Sequence, residues 1–320
     1  MSVEHMRIVF MGTPEYAAIC LQVLLEAGHQ VVGVFTQPDR PKGRGGKVEM
    51  PLTKLVALEH GIPVFQPRRI RDEGLEDLKA LKPDLCVTAA YGQILSQDIL
   101  DVPPLGTVNV HASLLPEYRG SSPANWVIIK GEKTTGVTTM MTDAGIDTGD
   151  ILLQKSLDIL KNETAGELTL RLARLGAALL LDTIERIKTG TCPRQKQDEN
   201  KMSYYPMLTK QTGFINWDYS AKEIQNLILG VQPWPGANTG SPWGMIKIIS
   251  ADVMPSDKQA LPGTILTADT KQGLIVQTGE GNLLVKLMQA PGGKAMDSKD
   301  YLRGHPYKGE GSMKMDEVNT

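Results

Sequence analysis

The sequence predicts an α/β chain in which a doubly wound, mainly parallel sheet domain is followed by a small β-barrel. Up to about residue 188, short apolar runs alternate with amphipathic segments, and alternating β and α elements build such sheets. After Gly190 the helical period gives way to short apolar runs cut by Gly and Pro, the pattern of a small barrel. Between the two lies a polar stretch with no sustained apolar period. A length of 320 residues fits two domains. The boundaries read 1–190 for the first domain, 191–209 for a linker and 210–320 for the second.

Taken in order, residues 7–12 form a β-rich run ending in Gly12. The helix that follows carries Ala17, Leu21, Leu24 and Leu25 at helical spacing and stops at Gly28. A strand over 31–36 completes a βαβ unit. Helices over 52–60, 73–81 and 123–130 alternate with strands over 63–67, 85–90, 106–111 and 136–143. Residues 163–188 make a long amphipathic helix, with Leu168, Leu172, Leu175, Leu179 and Ile187 on one stripe and Gly190 just past its end. In the second domain 220–229 reads as a helix, and 245–249, 263–266, 273–278 and 282–288 read as strands. The tail from 308 to 320 has little to bury and is expected to be mobile.

Composition narrows the class. Lys and Arg total 34 against 36 Asp and Glu, so net charge gives no evidence for a nucleic-acid partner, although a local basic patch is compatible with it. Cys20, Cys86 and Cys192 show no CxxC spacing, which fits reduced thiols better than disulfides or a zinc site. The N-terminus enters a folded pattern directly, unlike a signal peptide. No run reaches the roughly 18–20 apolar residues of a membrane span. The expectation is a soluble, cytoplasmic monomer with no membrane partner.

Residues 109–150 hold most of the chemistry. Asn109 and His111 sit two apart at the end of an apolar run, so a strand presents both on one face. Strand C-termini in open α/β sheets line the ligand crevice. A lone histidine there is usually structural. An amide donor, an imidazole and a carboxylate together are what acyl transfer requires. Asp147 lies in the turn-rich GIDTGD segment, but Asp143 and Asp150 are close, and spacing alone leaves all three carboxylates open. The loop 113–120 is stiffened by Pro116, as a binding loop should be.

Two further segments carry weaker signals. Gly12-Thr13-Pro14 lacks the G-x-G-x-x-G of a dinucleotide turn. The Gly-rich stretch 38–47 holds Arg40, Lys42, Arg44 and Lys47. It is ordinarily a solvated loop, and it also suits a polyanion that orders it on binding.

These motifs closely resemble the folate-dependent formyltransferases, and within them the branch acting on methionyl-tRNA. The matching pieces are RIVFMGTPEYA, VFTQPDRPKGRG, NVHASLLPEYRGSSPANW, DAGIDTGD and, in the second domain, VQPWPGA and GKAM. The resemblance implies a Rossmann-like catalytic domain joined to an OB-like barrel. It implies 10-formyltetrahydrofolate as formyl donor, no metal, and the α-amino group of initiator methionyl-tRNA as acceptor, for translation initiation. By motif position, Asn109, His111 and Asp147 would be catalytic. Ser113, Leu114, Leu115 and Pro116 would contact the folate, largely through backbone groups, and Arg44 would contact the tRNA.

The expected chemistry has Asn109 donating to the oxygen that becomes anionic as the amine attacks. His111 would carry the proton to the leaving nitrogen, with Asp147 fixing the imidazole tautomer. Two alternatives stay open. One is a folate-dependent formyltransferase acting on a small amine, which would leave the basic loop idle. The other is a nicotinamide-dependent dehydrogenase built on the N-terminal βαβ unit.

Overall fold

Val9, Phe10 and Met11 are all fully buried, the mark of a strand covered on both faces. They belong to β1 (Arg7–Gly12), an interior strand of a sheet that also contains β2 (Gln30–Phe35). The computed structural model describes residues 6–42, 47–255, 260–309 and 311–314. The chain divides into two compact units, the first comprising 1–123, 134–158 and 169–206, the second 124–133, 159–168 and 207–320.

Further strands of the first unit are β3 (Arg40–Lys42), β4 (Lys47–Glu49), β5 (Val64–Phe65), β6 (Leu85–Ala89), β7 (Thr107–His111), β8 (Arg119–Gly120), β9 (Thr134–Met141), β10 (Ile151–Asp158) and β11 (Tyr204–Tyr205). Its main sheet runs β10-β9-β7-β6-β1-β2-β5. The five strands from β7 to β5 are parallel, as the alternating sequence pattern predicts. The remaining edge departs from it. β9 runs antiparallel to β7, and β10 antiparallel to β9. Sequence reading misses β10 because only its first residues are buried, so it lacks an apolar period.

The helices are α1 (Glu15–Glu26), α2 (Leu52–Glu59), α3 (Ile70–Glu73), α4 (Leu75–Ala80), α5 (Gln97–Leu100), α6 (Pro123–Ile129), α7 (Ala165–Lys188), α8 (Ala221–Gly230) and α9 (Ser298–Gly304). At the β1–α1 turn, a Cβ on Gly12 would lie 2.5 Å from the Ala17 Cβ and 2.8 Å from the Ala89 carbonyl oxygen. That glycine permits close strand–helix packing. The basic stretch 38–47, read as a loop, contains the β3–β4 hairpin; Arg44 lies outside the described residues.

In the second unit the strands are β12 (Ala237–Thr239), β13 (Ile246–Met254), β14 (Ile265–Asp269), β15 (Gly273–Gln277), β16 (Asn282–Gln289) and β17 (Met296–Asp297). They form an antiparallel sheet ordered β12-β13-β16-β15-β14, with β17 on β16. Register shifts in β13 and β14 bend the sheet, as bulges do. Ile224 and Ile228 of α8 join Val276 and Val285 in its core. α8 starts at a capping box, in which the Glu223 amide donates to Ser220 Oγ at 3.2 Å and the Ser220 amide to Glu223 Oε2 at 2.9 Å.

The expected mobile tail is partly wrong. Met313 is fully buried, and its amide donates to the Gly263 carbonyl at 2.8 Å. Tyr307 Oη also donates to the Gly311 carbonyl at 2.9 Å, so hydrogen bonds as well as one apolar side chain anchor this part of the tail. All three cysteines are free. Among the described residues no helix is long and apolar enough to cross a membrane.

Candidate active site

The parallel pairing of β6 and β7 sets Thr88 beside Asn109. Thr88 Oγ1 donates to Asn109 Oδ1 at 2.9 Å. This contact orients the amide. With its oxygen occupied by a donor, the Asn109 NH2 group points the other way, toward Asp147 Oδ1 at 3.5 Å. We expect Thr88→Val, which keeps the shape and deletes the donor, to lower kcat about tenfold, the worth of one hydrogen bond. Steady-state rates compared at matched thermal stability check this.

His111 is the last residue of β7 and its side chain is buried, with 6% exposure. Its Nε2 lies 3.0 Å from the Tyr118 carbonyl oxygen. A carbonyl only accepts, so Nε2 carries the proton in this contact. Nδ1 faces Asp147 Oδ1 at 3.5 Å. The Tyr118 carbonyl, rather than Asp147 as the sequence reading had it, therefore fixes the tautomer. Asp147 is left facing the other ring nitrogen, Nδ1.

Of the three carboxylates, Asp147 is the one that faces both Asn109 and His111. Asp143 Oδ1 accepts from the Gly145 amide at 3.0 Å and from Thr148 Oγ1 at 2.7 Å, building the turn. Asp147 adopts φ +54°, a left-handed conformation that aims its carboxylate back at β7. Its Oδ2 accepts from the Gly120 amide at 2.9 Å, leaving Oδ1 toward Asn109 and His111. Gly120 has φ +112°, and a Cβ there would strike the Tyr205 carbonyl oxygen. No other residue fits.

The Asp147 turn is held from outside. Gln197 Nε2 donates to the carbonyls of Asp147 and Gly149, at 2.7 and 2.8 Å. Gln197 Oε1 accepts from Arg119 Nε at 3.0 Å and Nη2 at 2.9 Å. The Arg119 side chain is 3% exposed and forks onto Glu199, with contacts of 3.1 and 2.7 Å. Those hydrogen bonds hold the Glu199 carboxyl below its ordinary value. Tyr118 stacks on Tyr205 with centroids 4.9 Å apart, and its amide donates to Ser203 Oγ at 2.9 Å. Much of the stretch read as a linker is thus part of the site's frame.

Residues 113–116 form one loop beside β9. Its polar groups are largely engaged within the protein. Thr138 Oγ1 donates to the Ser113 carbonyl at 2.7 Å and the Leu115 amide donates to Thr138 Oγ1 at 3.1 Å. Gln154 Nε2 donates to the Leu115 carbonyl at 2.8 Å. Ser113 and Leu115 are buried, while Leu114 and Pro116 are half-buried. What the loop offers outward is mainly these two side chains. Among the described residues no group of three or more His, Cys, Asp or Glu is arranged to hold a metal ion.

The chain is similar to known proteins over nearly its whole length. The formyl transferase family matches residues 6–184, and the formyl transferase C-terminal domain matches 207–306. A protein of Ruminiclostridium cellulolyticum named methionyl-tRNA formyltransferase is 46% identical over 303 residues, covering 94% of this chain and 97% of its own. One of the same name from Trichlorobacter lovleyi is 48% identical, covering 94% of each. The chain belongs to the methionyl-tRNA formyltransferase family.

Solved structures agree on the fold. The N-formyltransferase of Helicobacter canadensis, complexed with folinic acid and dTDP-3-aminofucose, superposes with a TM-score of 0.66 at 22% identity, covering 88% of this chain and 98% of its own. HypX of Aquifex aeolicus with tetrahydrofolic acid gives 0.63 at 17% identity, covering 93% of this chain and 47% of its own. Within the family frame, the structure brings Asn109, His111 and Asp147 together. It keeps residues 113–116 as a separate loop tied to β9. Sequence reasoning missed Thr88, Arg119 and Gln197. Arg119 was legible in part, as a charged residue within the 113–120 segment read as a binding loop; Thr88 and Gln197 sent no signal.

Proposed function

We propose that the chain transfers the formyl group of 10-formyltetrahydrofolate to the α-amino group of initiator methionyl-tRNA. The observation that carries this is the convergence of Asn109 Nδ2 and His111 Nδ1 on Asp147 Oδ1, each 3.5 Å away, in a chain of this family. The donor set fits: an oriented amide N–H suits an oxygen gaining charge, and an imidazole nitrogen backed by a carboxylate suits a proton in transit. The donor supplies the formyl carbon.

Asn109, locked by Thr88, presents its N–H to the carbonyl oxygen without having to reorient. His111 takes the amine proton at Nδ1, since Nε2 is committed to Tyr118, and returns it to the departing nitrogen. Asp147 stabilises the imidazolium formed in between. Leu114 and Pro116 offer an apolar surface to the folate, and Ser113 and Leu115 hold that surface in place. Arg44, between β3 and β4, contacts the tRNA. The free cysteines support a reducing, cytoplasmic setting, and the protein acts as a monomer.

The test supplies the donor with either methionyl-tRNA or free methionine and measures formylmethionine. Product is expected only with the aminoacylated tRNA. Equal turnover of free methionine or another small amine would transfer the assignment to the small-amine reading.

A further inference from the structure

A cleft of about 570 Å³ opens in the second unit and shares no lining residue with the site described above. This volume is in the range of small-ligand sites. Lys133, Lys161 and Lys222 all border it. Three ammonium groups around one cavity repel one another. Burial together with Lys133 and Lys161 holds the Lys222 amine below its ordinary value. Lys222 also occupies the first turn of α8, where the helix dipole disfavours a cation.

The cleft wall adds a second, independent feature. Asn226 borders the cavity and is only 9% exposed. Among the described residues its side-chain amide makes no hydrogen bond within the protein, which leaves it available to a ligand in the cleft. Neighbouring Gln225 is committed: its Oε1 accepts from Lys222 at 2.9 Å and its Nε2 donates to the Ala251 carbonyl at 2.9 Å. Glu132, Glu163 and Asp252 also line the cleft. Glu163 turns its carboxylate onto the Leu160 amide at 2.8 Å.

We propose that this cleft is a phosphate-binding site, in which Lys133, Lys161 and Lys222 neutralise the anion and the Asn226 amide donates to one of its oxygens. A phosphate relieves the repulsion among the three ammonium groups and gives the Asn226 amide an acceptor. The phosphate belongs either to an RNA backbone or to a free phosphorylated molecule. The site is independent of the formyl chemistry, so its test needs no formyl donor.

Binding of inorganic tripolyphosphate is measured by calorimetry for the full chain. One site is expected, weakened about tenfold by Lys222→Ala or Asn226→Asp and abolished in the Lys133→Ala/Lys161→Ala/Lys222→Ala variant. Melting curves establish that the variants remain folded. In a second arm, dissociation of tRNA is followed against salt. A shallower salt dependence in the triple variant makes RNA the source of the phosphate, and an unchanged one alongside lost tripolyphosphate binding makes it a free molecule. The proposal is overturned if the triple variant matches the wild type in both arms.

Discussion

Asn109→Ala is expected to lower kcat by about 10²–10³-fold, the usual cost of removing one preorganised donor to a developing oxyanion, while the KM for the formyl donor changes little. The reason is geometric. Thr88 holds the amide oxygen at 2.9 Å, so the NH2 group is already aimed into the site before substrate arrives. His111→Ala should cost a similar or larger factor, because it removes the only imidazole facing Asp147 among the described residues. Neither change empties a large apolar volume, so both proteins should fold. Single-turnover formyl transfer with saturating acceptor separates chemistry from binding. Near-wild-type chemistry in Asn109→Ala would falsify the oxyanion role.

The extent to which this was legible in the sequence follows from where the information resides. The parallel core of the first unit was readable because strands such as β1 and β6 are buried on both faces and look uniformly apolar. β10 was not, since an edge strand with mostly half-exposed or exposed residues carries no period of its own; its place is decided by pairing with β9. The Asn109–His111 pair was readable because alternation in a strand puts both on one face. The tautomer was misread for a different reason. The motif position of Asp147 suggested a carboxylate partner, whereas the partner of Nε2 is the Tyr118 backbone carbonyl, which no residue type announces. Gln197 is the clearest case of all: a glutamine in a polar stretch is ordinarily solvated, and only the fold brings it to the two carbonyls it serves.

Gln197→Leu is therefore expected to lower kcat by about 10- to 100-fold, although Gln197 touches none of the reacting atoms. Asp147 holds φ +54°, a conformation that costs a non-glycine residue on the order of 1–3 kcal/mol and persists only where its surroundings impose it. The imposing contacts are the two hydrogen bonds from Gln197 Nε2 to the Asp147 and Gly149 carbonyls. Each is worth about 1 kcal/mol. Without them the turn relaxes, and the carboxylate leaves the position from which it faces His111 Nδ1. Gln197→Glu distinguishes this from a general loosening. The glutamate keeps the side-chain length and still accepts from Arg119, but it cannot donate to the turn. Both variants should lose kcat alike, with the donor KM within about twofold of wild type, because residues 113–116 are tied to Thr138 and Gln154 rather than to Gln197. A glutamate variant with wild-type kcat would show that Arg119, not the turn, is what Gln197 serves; a uniform rise in KM with kcat preserved would place its role in substrate binding instead.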